Sequence, residues 1–231
     1  MPTLCTNLAR GARMRLTRLD ECGVPVEGLC STVVTSGFVS VGVEPVYRDA
    51  DEIEVVNANA ELCINDRTCP QFKWDELEME FCLVDPDIWN IITGDAVVLD
   101  DAGTPNTVGF RQSGADLCTA NFALEIWSNV TGAPCTDPTM KPWGYFLFPF
   151  VTQGTVGEWT FENEGLTLTL NAITKAGSGW GVGPYNVRRD VTLGTPEPLL
   201  TAIGANDHLH YERTLLPPPS AQCGCQELVI P

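Results

Sequence analysis

The stretch Trp74-Asp75-Glu76-Leu77-Glu78-Met79-Glu80-Phe81-Cys82 constrains this chain more than any other. Taken at a period of two, it sends Glu76, Glu78 and Glu80 to one side and Leu77, Met79 and Phe81 to the other. That is the pattern of a half-buried antiparallel strand. Glutamates at alternate positions hold like charges roughly 7 Å apart, a mildly unfavourable arrangement. A solvated strand ordinarily relieves it by mixing in lysine or threonine, so this face is a candidate functional surface.

The formal charge is −17, and residues 49–101 hold fifteen acidic side chains against Arg67 and Lys73, a local charge of −13. Such a field repels phosphate backbones and argues against reading or wrapping nucleic acid. The same charge also keeps a concentrated protein soluble. With 231 residues, 44% of them hydrophobic, the chain can bury a sizeable core without help. It has no apolar run long enough to span a membrane as a helix. Arg10, Arg13, Arg15 and Arg18 interrupt any apolar run near the start, so no signal peptide is expected and assembly in a cytoplasm is.

Local patterns predict an N-terminal arm over 1–12, a main domain over 13–216 and an extended tail over 217–231 that begins with Pro217-Pro218-Pro219. Within the domain, an edge-type strand is expected over 14–20, and two strands or one bent strand over 31–47. A strand over 52–56 and a polar loop over 57–70 then lead to the glutamate strand. Asp85-Pro86 and Gly94 carry the start and stop signals of a short helix. Strands are expected over 95–100 and 107–112. Leu117, Ala120, Leu124 and Trp127 fall at helical spacing behind Asp116, which predicts a longer helix over 117–128. Further strands are expected over 147–152, 155–162, 166–175, 187–191 and 210–215, with a glycine-rich loop over 177–185. The sum is a mainly β fold: an antiparallel β sandwich or partial barrel with one flanking α-helix.

Chemistry-bearing motifs are scarce. The glycine-rich loop lacks the Lys and Ser or Thr of a phosphate loop, and Asp100-Asp101-Ala102-Gly103 lacks the ligand pattern of a calcium loop. His208 and His210 share a parity and could join Cys223 and Cys225 in a zinc site, although the spacing matches no usual pattern. The ten cysteines, Cys5, Cys22, Cys30, Cys63, Cys69, Cys82, Cys118, Cys135, Cys223 and Cys225, are expected to be mostly reduced, with one or two pairs open to oxidation outside a cell. No catalytic residue, metal or cofactor is assigned. Trp143, Tyr145, Trp159 and Trp180 are candidates for holding a sugar, as in a receptor-binding or capsid-decorating β sandwich.

Several stretches, in order along the chain, resemble the major tail proteins, or tail tube proteins, of long-tailed bacteriophages of actinobacteria. They are Thr17-Arg18-Leu19-Asp20-Glu21-Cys22-Gly23-Val24-Pro25, Gly37-Phe38-Val39-Ser40-Val41, Val84-Asp85-Pro86 opening a helix that closes at Thr93-Gly94, Gly177-Ser178-Gly179-Trp180-Gly181-Val182-Gly183-Pro184-Tyr185, and the proline run followed by Cys223-Gly224. The resemblance implies a structural virion protein, not an enzyme, without cofactor. It implies self-association into hexameric rings that stack into a tube for genome ejection, with tape measure, tail terminator and distal tail proteins as partners and no membrane. It also implies a negatively charged lumen past which DNA slides without sticking. On that expectation Glu76, Glu78 and Glu80 face the lumen, with Glu52 and Glu54 extending the same face from a neighbouring strand. The arm and the tail are then expected to contact neighbouring rings.

Overall fold

The computed structural model describes residues 7–103, 105–114, 116–132, 141–159, 166–190 and 194–230. In chain order the elements are β1 (Asn7–Arg18), β2 (Gly28–Thr35), β3 (Phe38–Arg48), β4 (Glu52–Val56), β5 (Leu62–Arg67), β6 (Gln71–Phe81), α1 (Pro86–Thr93), β7 (Val97–Leu99), β8 (Thr107–Phe110), β9 (Asn121–Thr131), β10 (Trp143–Val156), β11 (Leu168–Thr174), β12 (Arg188–Arg189), β13 (Pro196–Glu197), β14 (His210–Thr214) and β15 (Gln226–Leu228). Among the described residues the fold is mainly β, with antiparallel sheets and one helix.

The main sheet runs β15-β2-β1-β9-β10-β11-β6-β3, and β14 also pairs with β10. β1 and β3 lie five places apart, about 24 Å in a flat sheet. Yet a Cβ on Gly11 of β1 would come within 2.8 Å of the Phe38 ring on β3. The sheet therefore curls into an open partial barrel, and α1 fills its hollow. Ile88, Trp89, Ile91 and Ile92 of the helix pack with Met14, Leu16, Leu77, Met79, Phe81, Phe122, Leu124 and Leu170 from the surrounding strands.

The helix forms where its signals place it. Asp85 caps it by accepting the Asp87 N–H (3.0 Å), Pro86 opens it, and Gly94 closes it at φ 78°. Its last turn lies so close to β10 that any Cβ on Gly154 would collide with the Ile92 carbonyl. Trp89 stacks on Phe110 with ring centroids 3.7 Å apart and donates its indole N–H to Asp95 Oδ2 (3.2 Å). The opposite face of β9 and β10 is covered by the chain after β11. There Trp180, Val187, Leu199 and Ile203 pack on Ala123, Trp127, Tyr145, Leu147 and Phe150.

Several expectations are corrected. The segment 117–128 contains no helix: Asp116 caps only a turn, accepting the Cys118 N–H (2.9 Å), and residues from 121 onward form β9. β9 is covered on both faces, and such a strand is almost continuously apolar, so its period of two is lost and a helical spacing can be found in it by chance. β1 is interior, between β2 and β9, rather than an edge strand. Asn7–Ala12, assigned to the arm, are the first half of β1, exposed up to Gly11, and residues 1–6 lie outside the described residues. The polar loop over 57–70 contains β5, which pairs with β4 as a hairpin. The strands expected over 147–152 and from 155 are one strand, β10, carrying a bulge between Thr152 and Thr155 with Gln153 at φ 56°; residues 160–162 lie outside the described residues. The C-terminal tail is docked, with β15 on the edge of β2.

Candidate functional site

β6 obeys the alternation of its sequence. Leu77, Met79 and Phe81 are at most 1% exposed, whereas Glu76 and Glu78 are exposed and Glu80 is half-buried. Its neighbours decide what surrounds the glutamates. On β3, Glu44 lies opposite Glu76, Gly42 opposite Glu78 and Ser40 opposite Glu80. On β11 the corresponding partners are Ile173, Asn171 and Thr169. None of these is basic, and Ser40 Oγ donates to Glu80 Oε2 (3.2 Å). The resulting face is acidic, with Glu44 and Glu76 directly opposed.

A groove of about 540 Å³ runs along this face, between Glu44, Glu76 and Glu78 on one side and Gln153, Asn171 and Leu117 on the other. The covering chain that buries the outer face of β9 and β10 does not extend here, since the outward residues of β11, Thr169, Asn171 and Ile173, are all partly exposed. On the face of β6 away from the glutamates, Asp75 is buried and its backbone N–H donates to Thr174 Oγ1 (2.8 Å), which in turn shares a hydrogen bond with His208 Nδ1 (2.8 Å). Burial pushes the Asp75 carboxyl above its usual range, and His208 pulls it partly back.

Glu52 and Glu54 do not belong to this face. They lie on the β4–β5 hairpin, opposite Arg67 and Asn65, in a separate two-stranded sheet. A shared parity carries no information about which strands pair, and the register of β6 is filled by β3 and β11. Both strands of the hairpin are exposed along their whole length. Ile53 and Val55 of β4, with Ile64 opposite Val55, are exposed by 56%, 44% and 51%.

The residues considered for zinc are dispersed. His208 is held by Thr174 and lies edge-on to Phe72, His210 Nε2 is 3.6 Å from Glu212 Oε2, and Cys225 is joined to Cys30. Among the described residues, the ligand-type side chains that do converge are Cys30, Asp87 and Cys225, within 4.8 Å of one another. Of the aromatic candidates for sugar binding, Tyr145 and Trp180 are core residues.

Sequence reasoning missed a buried charged network. Arg15 donates through Nε and Nη2 to both oxygens of Glu125 (2.6 and 2.7 Å), and the Tyr145 hydroxyl donates to Glu125 Oε1 (2.6 Å). The guanidinium lies 3.5 Å over the Tyr185 ring, whose hydroxyl shares a hydrogen bond with Thr17. Burial is the largest single influence and lowers the Arg15 pKa, but the charge and hydrogen bond of Glu125, together with Tyr185 and Tyr145, outweigh it and the arginine stays charged. Burial, reinforced by Glu125, pushes the Tyr145 hydroxyl well up. The only sequence signal was Glu125, a lone charge inside the apolar strand β9; Arg15 is one of four arginines in β1 and does not stand out.

No protein-family model matches the chain, and no curated protein matches it.

Proposed function

We propose that this chain is a structural subunit of a bacteriophage tail tube, self-assembling into stacked rings whose acidic inner wall lets DNA pass without adhering. The reading rests on the face formed by Glu44, Glu76, Glu78 and Glu80, which is open, strand-built and without a basic cross-strand partner. A basic residue there would pair with phosphates and slow passage. Two further features support self-association. The main sheet ends in β3 on one side and β15 on the other, so head-to-tail pairing of edges would extend the sheet from subunit to subunit and cover both. The β4–β5 hairpin also presents apolar side chains that the monomer leaves in water.

On this reading the virion tail is where the protein resides, with tape measure, tail terminator and distal tail proteins as neighbours. Its role is mechanical rather than enzymatic. Electron microscopy of the purified chain at high concentration tests the proposal: rings or hollow tubes are expected, with Glu76 and Glu78 at the lumen in a reconstructed map. Compact isolated particles would favour a decoration or receptor-binding module. A map placing those glutamates on the outer wall or within a subunit interface would sink the lumen assignment.

A further inference from the structure

The C-terminal tail is fastened to the domain by three kinds of bond at one place. β15 pairs with β2, Gln226 opposite Thr32 and Leu228 opposite Gly28. Just before it, the Gly224 and Cys225 N–H groups donate to Asp85 Oδ2 and Asp87 Oδ2, both at 2.9 Å, on the carboxylates that open α1. The third bond is covalent, the Cys30–Cys225 disulfide, with Cα atoms 4.6 Å apart. Its cysteines are 195 residues apart in sequence, so the fold alone creates their proximity.

The local backbone is shaped for this contact. Between the two paired positions β2 spends two more residues than β15, and Cys30 lies in that bulge at φ 56°, a conformation that disfavours a side chain other than glycine. Cys30 is exposed, whereas Cys225 is half-buried and packs on the main core. One sulfur therefore faces solvent while the main-chain and carboxylate contacts hold the other beside it.

We propose that Cys30 and Cys225 form a reversible thiol–disulfide latch that locks the tail strand onto β2, with a low-molecular-weight disulfide as its co-reactant. The exposed Cys30 thiolate attacks one sulfur of the reagent, forming a mixed disulfide and releasing one thiolate. The Cys225 thiolate then displaces the second, closing the Cys30–Cys225 bond. Two electrons pass from the protein to the reagent, and the two thiol protons end on the two released thiols. Excess thiol reverses both steps. The bonds to Asp85 and Asp87 do not depend on the sulfurs, so reduction loosens the tail without releasing it. Closed, the latch holds β15 tightly over the edge of β2; open, it lets β15 fray from that edge and re-form on it. The inference concerns one chain and holds whether or not the chain builds a tube.

The test uses the full chain purified anaerobically in reductant, assayed for bound metal, and equilibrated across a series of glutathione redox buffers. Peptide mapping follows the cysteine pairs, and hydrogen–deuterium exchange follows residues 226–228. Cys30–Cys225 is expected to form ahead of any pair among Cys22, Cys63, Cys69, Cys82, Cys118 and Cys223. Exchange over the tail strand is expected to slow about tenfold or more on oxidation. Cys30→Ser should show the fast exchange at every potential. Equal exchange in the reduced and oxidised wild type, or Cys225 paired with Cys223 instead, overturns the proposal. Stoichiometric zinc on Cys30, Asp87 and Cys225 that blocks oxidation overturns it as well. The wild type is compared with itself, so the result does not depend on whether the variant folds.

Discussion

Glu125 on β9 and Glu78 on β6 belong to the same sheet and have opposite surroundings. Glu125 is fully buried, held by two bonds from Arg15 and one from Tyr145. Glu78 is exposed and lies between Gly42 and Asn171. The difference comes from what covers the outer side of each strand. The chain after β11 lies over β9 and β10, so a carboxylate there must be paired to be tolerated. It leaves β6 and β3 open, so a carboxylate there keeps its hydration and contributes a field instead of a contact.

Deleting the buried charge should give the largest effect. Glu125→Ala leaves Arg15 buried and unpaired, and is expected to destabilise the monomer by about 3–5 kcal/mol in urea unfolding. A loss under about 1 kcal/mol would mean that water reaches the pair. On β6, neighbouring residues should separate cleanly. Met79→Ala empties part of the core and should cost about 2–5 kcal/mol, whereas Glu78→Ala should stay within about 0.5 kcal/mol. Comparable losses from the two would contradict the assigned faces.

Reversing the open face probes its field. The triple variant Glu76→Lys, Glu78→Lys, Glu80→Lys should fold and acquire binding to duplex DNA that weakens steeply between low and moderate salt, as read by fluorescence anisotropy. Retention of the non-binding behaviour would show that the face does not govern contact with DNA. On the hairpin, Ile64→Asp should change monomer stability by no more than about 0.5 kcal/mol. The same substitution should abolish rings or tubes in micrographs, and normal assembly would exclude that apolar face from the contact.

The smallest effect concerns pH. Burial holds the Asp75 carboxyl above its ordinary value of 3.8. The folded chain therefore keeps that proton to higher pH than the unfolded chain, and stability falls as pH rises from 3.8 through the folded range. Asp75→Asn should remove this slope in unfolding curves collected from pH 4 to 7. An unchanged slope would assign it to other carboxylates.

Legibility in the sequence followed local geometry. The parity of β6 and the capped helix both depend on residues within a few positions of one another, whereas the sequence over 31–47 allows two strands or one bent strand and the structure divides it into β2 and β3. β9 was misread because a strand covered on both sides shows no alternation, and Trp127 falls at helical spacing from Leu124 as readily as at strand spacing from Glu125. The neighbours of β6 were misassigned for a related reason. Glu52 and Glu54 have the right composition and parity, but which strands pair is decided by long-range registers that composition does not encode.

The amino-acid sequence by itself determined the alternating faces of β6, the caps of α1, the concentration of acid between residues 49 and 101 and the mainly β class, because short-range sterics and the burial of apolar side chains suffice for these. Tertiary structure alone decided that Glu44 joins the acidic face, that Arg15 meets Glu125, and that Cys30 meets Cys225 across 195 residues. Each of these depends on which distant strands pair and in what register, and no local pattern along the chain records that pairing.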